Sequence, residues 1–271
     1  MTSSSWRLSA AIAAAGLMMA VIATAPDAFS KPKGDAKPKP TVAPTLTPAP
    51  TPTPKTLTWN FDQDKADGPA AEWTPVIGSW AVKADPTAPS QPNAFGIPGG
   101  GLIPSLTHLL EYYPAAVLTD PTEYTDFTLE GRFKAPAAYH FDCSGGLIFR
   151  YVNASNYYVI AAGCPSDYFA LGRMTDGKFV TLKQAGFNTD TGVWYKLKVV
   201  VEGHHFTCFD NDKQIFDIED NKLAAGRIGV WARDDSQASF DNITLTLPMA
   251  ATTSTLPAPP PSLPSLPPLP N

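Results

Sequence analysis

Between Trp59 and Leu247 the chain is a succession of short runs in which apolar and polar residues alternate, broken by Gly, Pro, Asn and Asp. The clearest are DFTLEGRF (126–133), GLIFRY (146–151), NYYVIAA (156–162), YFALGRM (168–174), VWYKLKVVV (193–201), HFTCFD (205–210), QIFDIED (214–220), RIGVWAR (227–233) and SFDNITLTL (239–247). Each is rich in β-branched or aromatic residues, and a period of two reads as a strand with one face in a core. No window sustains a period of 3.6 residues. The pattern predicts an all-β fold, a two-sheet jelly-roll sandwich. Alternation assigns the faces: Phe127, Leu129 and Phe133 share one side, Thr128, Glu130 and Arg132 the other. Likewise Tyr195, Leu197 and Val199 oppose Trp194, Lys196 and Lys198. Residues 84–122 are proline-rich and irregular, and are expected to form loops over one end or edge.

The runs around Cys143 and Cys164 fold naturally into a hairpin with Val152–Ser155 as its loop. Tyr151 then lies opposite Asn156, and the same register sets Arg150 against Tyr157 and Cys143 against Cys164. Opposed residues have Cβ atoms about 4.5–5.5 Å apart, near disulfide range, so a Cys143–Cys164 bond is expected, with Cys208 a single thiol. The alternative is three unpaired cysteines.

The ends differ from this body. Nine prolines fall between Pro26 and Pro54 and nine more between Pro248 and Pro270. Residues 1–30 have a lone Arg7, an apolar run from Ala10 to Ala25 and a small-x-small Ala28-Phe29-Ser30, the pattern of a signal peptide, although retention as an anchor remains the alternative. Residues 31–56 read as a basic polyproline II spacer, 57–247 as the folded domain and 248–271 as an uncharged proline-rich disordered tail. The expected location is secreted, periplasmic or at the cell surface. The body carries 14 Lys/Arg against 23 Asp/Glu, which argues against nucleic acid as a partner. No membrane span is expected after cleavage, and a monomer is expected.

Catalytic strings are missing. There is no E-x-D-x-(x)-E as in family 16 glycoside hydrolases, no G-x-S-x-G, no H-E-x-x-H and no phosphate loop. The adjacent His204 and His205 point to opposite faces of a strand. Glu130, Arg132, Arg150, Tyr157, Trp231 and Arg233 are the candidates for a polar-aromatic face that binds sugar. The competing reading makes Arg150 and Glu130 an ion pair and buries Trp231. Asp62, Asp64 and Asp241, in the first and last strands, are candidate ligands of a structural calcium ion, against solvated turn carboxylates.

The stretches WNFDQDKADGPAAEW, GSWAVKADPTAPSQPN, DFTLEGRF, GGLIFRYVNASNYYVI, VWYKLKVVVEG and GRIGVWARDDSQASFDNITL together resemble a laminin-G-like or concanavalin-A-like jelly roll. More narrowly they resemble the secreted bacterial 3-keto-disaccharide hydrolase-like group, loosely labelled family 16 glycoside hydrolases. The resemblance runs from Thr58 to Leu247. It implies an extracellular, carbohydrate-related role and, for some members, hydrolysis of 3-keto-glycosides. Three readings follow: a non-catalytic glycan-binding module, a 3-keto-disaccharide hydrolase using Glu130 or another carboxylate, and a structural or protein-interaction domain. The expected partner is a glycan or oligosaccharide.

Overall fold

The computed structural model describes residues 53–97, 113–135, 143–164, 167–233 and 236–249. The expected leader, most of the spacer, and the tail beyond Met249 lie outside the described residues. The chain divides into two compact units, Met1–Ala49 and Pro50–Asn271, and every described residue belongs to the second.

The described residues contain strands and no helix. The strands are β1 (Lys55–Trp59), β2 (Trp73–Ile77), β3 (Ala81–Ala84), β4 (Asn93–Ile97), β5 (Ala115–Leu118), β6 (Phe127–Lys134), β7 (Cys143–Asn153) and β8 (Asn156–Cys164). They continue with β9 (Tyr168–Thr175), β10 (Lys178–Gly186), β11 (Trp194–Glu202), β12 (His205–Asp210), β13 (Lys213–Glu219), β14 (Arg227–Ala232) and β15 (Ala238–Leu247). One sheet has the order β13-β12-β11-β6-β15-β4-β3, with β1 added to β15; the other runs β10-β9-β8-β7-β14-β5-β2. All named strand pairings are antiparallel. This is the two-sheet sandwich that alternation predicts.

All nine alternating runs are strands. The others escaped notice for physical reasons. β2 and β5 are short, with sequences WTPVI and AAVL that show no alternation. β4 and β5 arise inside the segment expected to be loops. β10 is partly or fully exposed throughout, so no apolar face marks it.

The core fills the space between the sheets. Phe127, Leu129 and Phe133 from β6 meet Leu147 and Phe149 from β7, Tyr158 and Ile160 from β8, Leu197 and Val199 from β11, and Phe240 from β15. The expected faces of β6 and β11 are observed, with the residues between these core positions half-buried outside, apart from Gly131, which is buried. Burying each such side chain contributes about 1.5–3 kcal/mol, so the alternation itself fixes the register.

The β7–β8 hairpin confirms one expectation and corrects another. Cys143 faces Cys164 and they form a disulfide, with Cα atoms 5.1 Å apart; Cys208 is free and buried. The register holds through Phe149–Tyr158 and then shifts, so that Asn153 faces Asn156 and the loop is Ala154-Ser155, not Val152–Ser155. The shift is a bulge at Arg150, whose φ is +49°. Arg150 therefore does not pair with Tyr157. Its side chain turns into the end of the sandwich, donates to the carbonyls of Leu223 (2.8 Å), Thr125 (3.0 Å) and Gly203, and lies over the Phe206 ring.

Candidate functional site

The outer face of the β10–β2 sheet has an unusual floor. Antiparallel pairing places Trp231, Gly146, Ala161, Ala170 and Gln184 side by side in one row across five strands. The next row is Gly229, Ile148, Val159, Gly172 and Thr181. In the first row large side chains stand at the margins and Gly146, Ala161 and Ala170 in the middle, and Gly172 extends this low floor into the second row, so the sheet's outer face is hollowed there. The result is a trough of about 240 Å³ lined by Val159, Ala161, Ala170 and Gly172 below, and by Trp231, Arg233, Tyr168, Gln184, Thr181, Phe179 and Tyr113 around.

Three rings define one side of it. Tyr113 stacks on Phe179 with centroids 5.1 Å apart, Tyr113 on Trp231 at 5.8 Å, and Phe179 on Trp231 at 6.1 Å, with interplanar angles of 25°, 20° and 16°. Phe179 can lie down over the sheet because residue 172 is glycine: a Cβ there would collide with its ring tip. Behind the rings, Tyr151 and Tyr157 stack on each other at 6.1 Å. Burial pushes the Tyr157 phenol far above its usual range, against a lowering contact with Trp231, so it stays protonated.

These groups suit a sugar. Aromatic rings offer apolar faces to ring C–H groups, and Arg, Gln, Thr and Tyr offer directional donors and acceptors to hydroxyls. None of the described lining residues is Asp, Glu, His or Cys. A larger hollow of about 540 Å³ lies beside β1 and β2; its Trp59 donates its indole N–H to Glu72 at 2.9 Å, and Lys55, Glu72 and Asp120 make its lining charged.

The six residues expected to share one face do not. Tyr157, Trp231 and Arg233 belong to the trough sheet; Trp231 and Arg233 line the trough and Tyr157 sits behind the rings, but Trp231 is buried, 2 % exposed and packed against Tyr113 and Phe179, as the competing reading had it. Glu130 and Arg132 are on β6, on the outer side of the other sheet, in a separate polar hollow with Lys196, Asn242 and Thr244. Glu130 lies 3.8 Å from Lys196, so it is not the partner of Arg150. Arg150 is 1 % exposed and spent on backbone carbonyls. Strand alternation cannot say which sheet a face belongs to, and this is why the six were grouped. Phe179, Tyr113, Tyr168 and Gln184 were missed; the only sequence signal was the small-residue content of IAAG (160–163) and ALG (170–172), visible as a floor only once strands are paired.

Of the calcium candidates, Asp241 is fully buried and accepts from Ser90 N (2.7 Å), Ser90 Oγ (2.9 Å) and Asn242 N (2.6 Å). Burial pushes its carboxyl up, and the nearby Asp62 charge adds to this. Asp62 and Asp64 lie in the turn after β1, not in the first strand as expected; Asp62 keeps a buried Oδ1 with no hydrogen-bond partner, whereas Asp64 accepts from Ala71 N at 3.2 Å. Among the described residues no group of three or more Asp, Glu, His or Cys side chains is disposed to hold a metal ion. Among them, too, no helix is long and apolar enough to cross a membrane.

Comparison with solved structures finds the same fold. The carbohydrate binding module CBM66 from Bacillus subtilis superposes with a TM-score of 0.51 at 20 % identity, over 64 % of this chain and 94 % of that one. The family 43 glycoside hydrolase protein BlXynB from Bacillus licheniformis gives 0.49 at 13 % identity, over 70 % of this chain and 39 % of that one. Among curated proteins no sequence match is found. Residues 80–246, more than half of the chain and spanning β3 to β15, match the 3-keto-alpha-glucoside-1,2-lyase-like domain. The chain belongs to that family.

Proposed function

We propose that the protein is an exported carbohydrate-binding module whose trough on the outer face of the β10–β2 sheet holds sugar without transforming it. The observation that carries this is the composition of the trough: three parallel rings beside Arg233, Gln184 and Tyr168, over a floor of small residues, with no carboxylate among its described lining. Glycoside cleavage by the usual route needs two carboxyl groups flanking the bond. The fold shared with a carbohydrate binding module and the signal-like leader are consistent with this reading.

The family match favours a second reading, cleavage of 3-keto-glycosides. One paired experiment separates them: a glycan array followed by titration calorimetry, beside a turnover assay on 3-keto-trehalose. Binding without turnover, weakened in Arg233→Ala, supports the module. Turnover overturns it in favour of the second reading. Silence in both assays leaves the structural or interaction role.

A further inference from the structure

We propose that the trough captures the terminal residue of a glycan and excludes internal stretches of chain. This rests on the glycan-binding reading above and adds the part of the ligand that is recognised.

The geometry is a clasp. Phe179 stands on β10, the edge strand, while Trp231 stands on β14, and β9, β8 and β7 lie between them. Across a flat sheet those four spacings amount to roughly 19 Å. The two rings nevertheless lie 6.1 Å apart, with Tyr113 stacked against both. The banks of the trough are therefore joined above its floor. A polymer laid across the strands runs into the banks, Thr181 and Gln184 on one side and Trp231 on the other. A polymer laid along them meets the joined rings, because Phe179 springs from the row of Tyr157 and Met174 at one end of the floor. Tyr168 rises from the row of Gly163 at the other end.

The space agrees. The trough holds about 240 Å³. Pockets for drug-sized ligands occupy about 300–1,000 Å³, so there is room for roughly one or two sugar rings. Extended chains are instead usually met by open grooves or flat aromatic platforms, on which each further ring adds contact. Among the described residues nothing beyond the first rings gains a wall.

The test measures affinity against chain length. Cello-, malto-, laminari-, manno- and xylo-oligosaccharides are titrated as the disaccharide and as the hexasaccharide, and each parent polysaccharide is titrated by molarity of chain ends. For the series that binds, the expected result is equal affinity for both lengths within about twofold, and polymer binding that saturates at one protein per chain end. Phe179→Ala opens the clasp, and the hexasaccharide should then bind at least about fivefold tighter than the disaccharide. Tyr113→Ala is the companion variant, and unchanged melting temperatures certify both folds. A wild-type hexasaccharide preference of about tenfold (about 1.4 kcal/mol), or several proteins bound per polymer chain, overturns end capture and leaves glycan binding standing. No binding in any series overturns both.

Discussion

Phe179 and Trp231 are in ring contact although they stand on strands separated by three others in the same sheet. The contact exists because the residues between them are small. Gly172 lies directly under the Phe179 ring, and Gly146, then Ala161, follow Trp231 in its row. Gly172→Ala places a methyl where the Phe179 ring tip now sits, so the ring lifts and the clasp loosens. The expected outcome is about tenfold weaker binding by calorimetry, near 1.4 kcal/mol, with a melting temperature close to that of the wild type, since Phe179 is half-buried at the sheet edge.

Glu130 and Arg132 face away from the trough, on the other sheet. Glu130→Gln and Arg132→Ala should leave glycan affinity unchanged while Arg233→Ala lowers it. Loss of binding in either β6 variant, measured on protein with native circular dichroism, would move the site to the polar hollow around Lys196.

The Cys143–Cys164 bond ties the ends of β7 and β8 across 21 positions of sequence. By the loop-entropy account a closure of this size contributes about 3 kcal/mol. Replacing both cysteines with serine should lower the melting temperature by roughly 6–12 °C. Scanning calorimetry with and without reductant checks this: reductant should move the wild type and leave the double variant alone.

Asp210 sits on the inner side of β12, 4 % exposed, with a buried Oδ1 that has no hydrogen-bond partner. Burial pushes its carboxyl up from the ordinary 3.8 to about 6, with Lys213 pulling the other way. The folded protein thus holds this proton more tightly than the unfolded chain does. Its contribution is most favourable below about pH 4 and is lost as pH rises through about 6. Asp210→Asn should raise the melting temperature at pH 7.5 and have little effect at pH 4. An Asn variant destabilised at pH 7.5 but not at pH 4 would show that the carboxylate is paired when ionised.

Arg150 holds the end of the sandwich together through carbonyls of the Thr125, Gly203 and Leu223 segments. Arg150→Met keeps the bulk but strands those acceptors, at about 1–3 kcal/mol for each group left unsatisfied. The melting temperature should fall by more than in the disulfide variant, and glycan affinity of the folded fraction at 10 °C should be retained. Binding lost while the melting temperature holds would assign Arg150 a role with ligand.

The class of fold follows from the chain's alternation alone, because nine alternating runs each leave one face to bury. The chain's pattern also determined the disulfide, since a single hairpin register places Cys143 opposite Cys164. Local periodicity could not reveal that this register breaks at Arg150. A bulge is chosen where a guanidinium finds carbonyls from three distant segments, and those meet only in the folded molecule. Nor does a strand's pattern tell which of two outer faces its polar residues join, so Glu130 and Trp231 read alike until the sheets are assembled. The trough itself is written in Gly146, Ala161, Ala170 and Gly172, ordinary small residues one by one. It becomes a hollow only when pairing aligns them across the strands and the Phe179 and Trp231 rings meet from either side.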